Sequence, residues 1–190
     1  GGVIVDGGHR MGPGHEKESF LPSSASPGVR TAPLIGRYEF PEDWRIILCL
    51  PDVTQGASGA VEQNIFQKCC PIPLQEVQEL SHIILMQMLP ALIDQDLDQF
   101  GKSVSALRQI GFKREELALQ PPVLHDILNY MDTCGTAGAG MSSFGPALFA
   151  LTDTNGAGRA SDIRSYLHDR CEGEVRIVRG CNNGAIIRRT

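Results

Sequence analysis

The chain has 190 residues, of which 42% are hydrophobic, 21% charged and 6% aromatic, enough apolar material for one domain, or for one domain plus a fragment. Seventeen Lys and Arg against 22 Asp and Glu give a formal charge of -5, with no block of like charges. This balance argues against a nucleic-acid or anionic-membrane surface. No apolar run approaches the roughly 18–20 residues that cross a bilayer. We therefore expect a soluble protein.

The six cysteines and five histidines show no CxxC pair and no ligand pair at zinc-finger spacing. A domain with its own core does not need disulfides. We expect reduced cysteines, a cytoplasmic protein and no structural metal.

Two strands are predicted in the first quarter of the chain. Val3–Val5 is a short run that ends in an Asp-Gly-Gly turn. Residues 9–36 have little periodicity, which predicts a long loop or mobile segment. The apolar run Trp44–Leu50 predicts a strand buried on both faces. The change from a segment with little periodicity to a strongly apolar one predicts a domain boundary near Phe40.

Helical spacing of apolar residues predicts three helices, with Pro90 kinking or ending the first. Their spans are Leu74–Asp94, Leu97 to about Gly111, and Pro121 to Cys134. Further on, the pattern predicts a strand at Ala147–Leu151, a helix at Asp162–Asp169 capped by Ser161, a strand at Glu174–Val178 and a last strand at Gly184–Ile187. This order is typical of an α+β sandwich, an antiparallel sheet with helices on one face.

The segment Gly138–Pro146 carries the strongest chemical signal. Its glycines would let backbone N–H groups turn inward and its two serines would add hydroxyls, so it predicts a concave site for a phosphate or carboxylate. It matches neither a P-loop nor a nucleophile elbow. An ordinary glycine-rich connection into a strand explains the composition equally well.

Two further loops carry polar residues at strand ends. Asp52 leaves the strand at Trp44–Leu50, and Glu62 follows a Gly/Ser loop. Asp52 as a turn or cap residue, and Glu62 as a first-turn helix carboxylate, are the simpler alternatives. Asp6 and His9 could place a carboxylate and an imidazole near an anion, although a hairpin-like turn accounts for them as well.

The stretch from Gly138 to Phe149, with its Ser-Ser-Phe-Gly-Pro core, resembles the third motif of the GHMP kinase superfamily. Its Ser-Ser-aromatic-Gly-Pro form is most similar to one branch, the β-ribofuranosylaminobenzene 5'-phosphate synthases. Three other stretches resemble the same branch: Gly2–His9, Phe40–Arg45 with Pro51-Asp52, and Asn182–Ala185.

For the fold, the resemblance implies a ferredoxin-like α/β sandwich of the GHMP C-terminal type at residues 42–190. Residues 1–41 would be the tail end of an N-terminal domain and a linker. The chain opens on Gly1 without a methionine, and nothing in it matches the glycine-rich phosphate loop of that N-terminal domain. We expect the C-terminal portion of a longer enzyme, inactive by itself.

For function, the resemblance implies a pentosyltransferase of methanopterin biosynthesis. It would condense phosphoribosyl pyrophosphate with 4-aminobenzoate, or a 4-hydroxybenzoate-like acid, releasing CO2 and pyrophosphate with Mg²⁺ present. The alternatives are an ATP-dependent small-molecule kinase and a non-catalytic binding module. The expected partners are small-molecule substrates and the missing N-terminal domain or subunit, with a homodimer left open.

For the site, the resemblance implies phosphate contacts from five residues of one loop: Gly138, Gly140, Ser142, Ser143 and Gly145. Ser58 and Glu62 would lie near the acid or sugar, and Asp6, His9 and Asp52 would be catalytic. Metal ligands are not assigned. On this hypothesis Gly140→Val abolishes activity without disturbing the fold.

Overall fold

The computed structural model describes residues 1–8, 10–11, 29–53 and 59–186. Its strands are β1 Val3–Asp6, β2 Arg10–Met11, β3 Val29–Arg30, β4 Leu34–Tyr38, β5 Arg45–Pro51, β6 Gly138–Met141, β7 Leu148–Thr152 and β8 Gly173–Val178. Its helices are α1 Ala60–Cys69, α2 Leu74–Ile83, α3 Leu89–Ile93, α4 Leu97–Leu107, α5 Gly111–Ala118, α6 Pro122–Thr133 and α7 Ala157–His168. The chain forms two units, each built from separate stretches of sequence.

The first unit contains the described residues among 1–40, 58–70 and 181–190. In it β1 pairs with β4 and β2 pairs with β3, both antiparallel. The prediction of a loop throughout residues 9–36 is therefore wrong for the described residues, since β2, β3 and the start of β4 fall there. Short strands with few apolar residues give too little alternation to be recognised in sequence.

Hydrogen bonds from the side chains of Asn182 and Arg37 hold the first unit together. The Asn182 amide donates to the Phe40 carbonyl at 2.9 Å, and its Oδ1 accepts the Phe40 N–H at 2.8 Å. The Arg37 guanidinium donates to the Gly1 carbonyl at 2.9 Å. These bonds join segments that are far apart in sequence.

The second unit, residues 41–57 and 71–180, holds a four-stranded antiparallel sheet in the order β6-β7-β5-β8. The chain enters at β5, passes through helices to β6 and β7, and returns through α7 to β8. This β-α-β-β-α-β path with β5 and β7 in the centre is the ferredoxin-like arrangement. The predicted α+β sandwich is confirmed.

The core of the second unit lies between the sheet and the helices α6 and α7. This core includes the fully buried Ile47 and Cys49 of β5. Its other fully buried members include Leu124, Ile127, Met131, Leu148, Ile163 and Leu167. The alternate β5 side chains, Ile46, Leu48 and Leu50, are half-buried. The prediction of a strand buried on both faces is thus wrong, because α6 and α7 complete a core on one face.

The helices differ from the sequence prediction where proline and charge intervene. The predicted first helix is α2 and α3 joined by a π-helical turn, Ile84–Met88, in which Leu89 donates its N–H to the Ile84 carbonyl. Pro90 lacks an N–H, and a wider turn just before it lets the helical path continue. α5 was not predicted, because its charged sequence shows little amphipathic pattern.

The last elements also shift. α7 begins at Ala157, with Gly156 at the N-cap position, so Ser161 lies within the helix instead of capping it. β8 confirms the strand predicted at Glu174–Val178. Residues 184–186 are not a strand, and Ile187 lies outside the described residues.

Candidate functional site

The glycine- and serine-rich segment divides into two structures. Its first half, Gly138–Met141, is the buried edge strand β6, so the prediction of a loop there is wrong. The Ala139 N–H donates to Ser105 Oγ at 3.1 Å, and Arg108 Nη1 donates to the Ala139 carbonyl at 2.8 Å. Side chains from the end of α4 therefore occupy backbone groups that an anion would need at this edge.

The two glycines of β6 are accounted for by close packing. A Cβ at Gly138 would lie 2.0 Å from the Gly101 carbonyl oxygen, and one at Gly140 would lie 2.6 Å from Phe149 Cζ. At Gly138 the backbones of α4 and β6 are therefore in direct contact. The assignment of Gly138 and Gly140 as phosphate contacts stays a prediction, and these surroundings argue against it. The expectation that Gly140→Val would spare the fold also stays a prediction, and the close Phe149 ring argues against it.

The second half, Ser142–Pro146, is a turn between β6 and β7 in which the serines are exposed and Phe144 is buried. Ser142 donates its N–H to the Ala147 carbonyl, and Gly145 donates to the Ser142 carbonyl, both at 2.9 Å. Ser143 has φ 47° and Gly145 has φ 70°, so the chain reverses through two left-handed residues. Ser142 and Ser143 are exposed. Both side chains are therefore accessible from solvent.

Helix α5 and Gln120, two residues after its end, support this turn. Lys113 Nζ donates to the Ser143 carbonyl at 3.1 Å, and Gln120 Nε2 donates to the Phe144 carbonyl at 3.1 Å. The Phe112 and Phe144 rings meet edge to face, with centroids 5.8 Å apart. Sequence reasoning missed Lys113 and Gln120, because only the tertiary structure brings α5 beneath the turn.

Asp52 lies at the same end of the sheet as the turn. It is exposed just after β5 and donates its N–H to the Glu172 carbonyl at 2.7 Å. Because β5 is antiparallel to β7 and β7 to β6, the end of β5 and the β6–β7 turn lie at the same end of the sheet. Burial, followed by the Asp52 carboxylate, raises the pKa of the nearby Cys171 thiol. Asp52 and the turn therefore lie at the same end of the sheet.

Two of the remaining predicted residues, Asp6 and Glu62, are described by the structure. Asp6 is exposed at the end of β1, and its Oδ1 accepts the Gly8 N–H at 2.9 Å, which is the turn alternative for this residue. Glu62 is half-buried in the first turn of α1. Both belong to the first unit. His9 and Ser58 lie outside the described residues.

A separate cleft of about 290 Å³ lies on α5, α6 and the end of α4, and Arg108, Arg114 and His125 contribute to its lining. Both guanidiniums are already paired. Arg108 binds Asp132, while Arg114 binds Glu76 at 3.1 Å and Glu115 at 3.1 Å. The Gly111 N–H, followed by Arg114, lowers the pKa of Glu76. These carboxylates neutralise the cleft, which suits an anion less well than the serine turn.

Across the described ranges, no group of three or more His, Cys, Asp or Glu side chains could hold a metal ion. In the same ranges, no helix is long and apolar enough to cross a membrane. All six cysteines are described, and none forms a disulfide.

Known proteins resemble this chain in sequence. Residues 88–172 match the family described as GHMP kinases C terminal. A "Beta-ribofuranosylphenol 5'-phosphate synthase" of Methanothermobacter thermautotrophicus is 45% identical over 190 residues, covering 98% of this chain and 55% of the relative. A protein of the same name from Archaeoglobus fulgidus is 43% identical over 170 residues, covering 90% of this chain and 51% of the relative. The chain thus spans about half the length of these relatives.

A solved structure shows the same fold. A homoserine kinase from Cytophaga hutchinsonii superposes with a TM-score of 0.61 at 15% identity, over 77% of this chain and 44% of that protein. At this identity the likeness concerns the fold alone. The family match and the archaeal relatives confirm the resemblance drawn from the Ser-Ser-Phe-Gly-Pro motif, and the fold agrees with it: residues 88–172 of this chain carry the GHMP kinase C-terminal domain.

Proposed function

We propose that this chain is part of a pentosyltransferase that joins a ribosyl 5'-phosphate group to an aromatic ring. The observation that carries the proposal is the 45% identity, across 98% of the chain, to a protein named beta-ribofuranosylphenol 5'-phosphate synthase. The name of that relative describes a ribosylated phenol that keeps its 5'-phosphate. We place the reaction, as the motif resemblance implies, in methanopterin biosynthesis.

The proposed reaction takes phosphoribosyl pyrophosphate and an aromatic acid. The sugar C1–oxygen bond to pyrophosphate breaks, and a bond forms from C1 to the ring carbon that bears the carboxylate. The carboxylate then leaves as CO2, and its bonding electrons restore the aromatic ring. We propose 4-hydroxybenzoate as the first acid to test, because its product is a phenol, and 4-aminobenzoate as the second.

Such a reaction needs donors for the departing pyrophosphate and stabilisation of an oxocarbenium-like sugar. The exposure of Ser142 and Ser143 in the Ser142–Gly145 turn supports a role in pyrophosphate binding, with their hydroxyls as the proposed donors. Asp52, at the same end of the sheet, carries a carboxylate that would stabilise a cationic sugar carbon. We keep Asp6, His9, Ser58 and Glu62 as proposed contributors from outside the second unit.

We propose that Mg²⁺ enters the site bound to the pyrophosphate group of the substrate. The described residues offer no three-ligand cluster of carboxylate, imidazole or thiol groups. Mg²⁺ commonly binds phosphates, waters and one or two carboxylates, so a pyrophosphate substrate could bring it. The proposed bond changes do not involve the ion directly. The proposed setting of the reaction is the cytoplasm.

The proposed partner is a polypeptide equivalent to the part of the relatives that this chain does not span. The β1–β4 pair supports this proposal. Ile4, Leu34 and Ile35 are 49%, 64% and 68% exposed on it, and a two-stranded ribbon with exposed apolar residues is marginally stable by itself. A second copy of the chain is the other partner to test.

The test is an assay for ¹⁴CO2 from carboxyl-labelled acid with phosphoribosyl pyrophosphate and Mg²⁺. The chain is assayed alone, and again with a polypeptide that supplies the remaining length of the Methanothermobacter relative. We expect release of CO2 and pyrophosphate in equal amounts in the second case, and none in the first. Absence of turnover in both, with either acid, would falsify the proposal. Consumption of ATP with homoserine or mevalonate would instead indicate a kinase.

A further inference from the structure

We propose that Lys113 and Gln120 are positioning residues that hold the Ser142–Gly145 turn ready for an anion. The inference rests on the proposed function, since it assigns the support for the pyrophosphate-binding turn. Neither residue lies in the motif that carries the family resemblance. Both act from α5, or just after it, on the backbone of the turn.

Gln120 connects α5 to the turn through a single amide group. Its Nε2 donates to the Glu116 carbonyl at 3.0 Å and to the Phe144 carbonyl at 3.1 Å. Its Oε1 would lie 3.0 Å from a Cβ placed at Gly145, so the side chain also packs against the end of the turn. Both amide hydrogens are therefore used to join helix and turn.

Lys113 connects the same helix to the neighbouring peptide group. Its Nζ donates to the Ser143 carbonyl at 3.1 Å and forms an ion pair with Glu116, one turn along α5. The Glu116 side chain is only 8% exposed. A buried carboxylate needs a nearby cation, so Lys113 is held over Glu116 and thus beneath Ser143.

These contacts fix the direction of two peptide groups. In a trans peptide the C=O and N–H point in opposite directions. The Ser143 and Phe144 carbonyls accept from Lys113 and Gln120, so their negative ends point toward these donors and away from the side of the turn that we propose meets the anion. Ser143 also has φ 47°, a costly conformation for a residue with a side chain, which persists only when its surroundings hold it. Loss of either donor frees a carbonyl to rotate toward an incoming anion and repel it.

The experiment uses Gln120→Leu and Lys113→Met, with Lys113→Arg as the conservative variant. Lys102→Met, an exposed lysine on α4, is the matched control. In the CO2-release assay we expect Gln120→Leu and Lys113→Met each to raise KM for phosphoribosyl pyrophosphate about tenfold, the effect of one lost hydrogen bond. KM for the aromatic acid and kcat should change less than threefold. Lys113→Arg should recover most of the loss.

Direct titration of the 190-residue chain with pyrophosphate, followed by the amide signals of Ser142, Ser143 and Gly145, decides the inference separately from turnover. Weaker binding by about tenfold in both variants, with Lys102→Met unchanged, supports it. Variants that bind like wild type, or a wild type whose turn signals do not respond to pyrophosphate, overturn it. Failure of wild-type turnover with normal pyrophosphate binding would instead count against the proposed reaction alone.

Discussion

The two halves of the segment Gly138–Pro146 both contain glycine but differ in their surroundings. Gly138–Met141 is buried along its whole length, whereas Ser142 and Ser143 are exposed. In the first half, glycine is present because a neighbouring backbone or ring leaves no room for a side chain. In the second half, Gly145 provides a left-handed φ of 70° that closes the turn. The same residue type thus serves packing in one half and chain reversal in the other.

The supporting helices differ as well. α4 and the residue after it approach β6 through Gly101, Ser105 and Arg108, and occupy its outer backbone edge. α5 approaches the turn through Lys113 and leaves the serine side chains exposed. A strand edge that is covered by side chains cannot bind a ligand, whereas a turn held from behind can. Substitutions in the two halves should therefore separate stability from binding.

The largest expected effect is that of Gly138→Ala on stability. The added methyl group would lie 2.0 Å from the Gly101 carbonyl oxygen, so helix and strand must move apart. We expect a loss of about 3 kcal/mol or more in the free energy of unfolding, measured by urea denaturation. Gly158→Ala, where a Cβ meets nothing within 4 Å, is the control and should be neutral or stabilising by up to about 1 kcal/mol. Equal stability of the two variants would show that the buried half is not closely packed.

A smaller loss is expected from Asp132→Asn. Asp132 pairs with Arg108, whose side chain is 9% exposed and also binds the Ala139 carbonyl. Removing the charge leaves a largely buried guanidinium without its counter-ion, at a cost of about 2 kcal/mol. The control is Asp126→Asn, an exposed residue of the same helix, expected within about 0.5 kcal/mol of wild type. If both variants unfold at the same urea concentration, the Arg108 contact does not stabilise the strand edge.

The buried side of the sheet also predicts a pH dependence. Burial, followed by the nearby Cys171, raises the pKa of the Cys49 thiol from 9.0 to about 12. In the folded state the thiol stays neutral, so stability is full below about pH 9 and is lost as pH rises through about 12, by about 1 kcal/mol at pH 10. Urea denaturation between pH 8 and 10 measures this loss, and Cys49→Ala should reduce its slope. Fast labelling of native Cys49 by a thiol reagent at pH 8, as fast as that of exposed Cys181, would contradict the burial.

The smallest effect on stability is expected in the exposed half. Ser142→Ala and Ser143→Ala remove hydroxyls that face solvent, and should change the free energy of unfolding by less than about 0.5 kcal/mol. The same variants should weaken pyrophosphate binding if the turn is the anion site. Thermal unfolding and pyrophosphate titration of the same samples check both expectations. Unchanged binding in the double variant would remove the turn from the proposed site.

Patterns within single segments were enough to predict much of the fold. β1, β5, α4, α6 and β8 were predicted close to their observed bounds, because regular spacing of apolar residues reflects which face of an element is buried. The Ser-Ser-Phe-Gly-Pro motif indicated the superfamily, and the antiparallel α+β class followed from the order of elements. Weakly patterned segments were not predicted: α5 is short and charged, and β2 and β3 have two residues each.

The sequence by itself determined the type of domain and marked the segment Gly138–Pro146 as special, since glycine and serine at these positions are visible without coordinates. Only the tertiary structure decided that half of this segment is a buried strand, because the reason for Gly138 is the backbone of Gly101, 37 positions earlier in the chain. It likewise decided that Lys113 and Gln120 hold the turn. Contacts between distant segments leave no periodic pattern in either segment, so local sequence cannot reveal them.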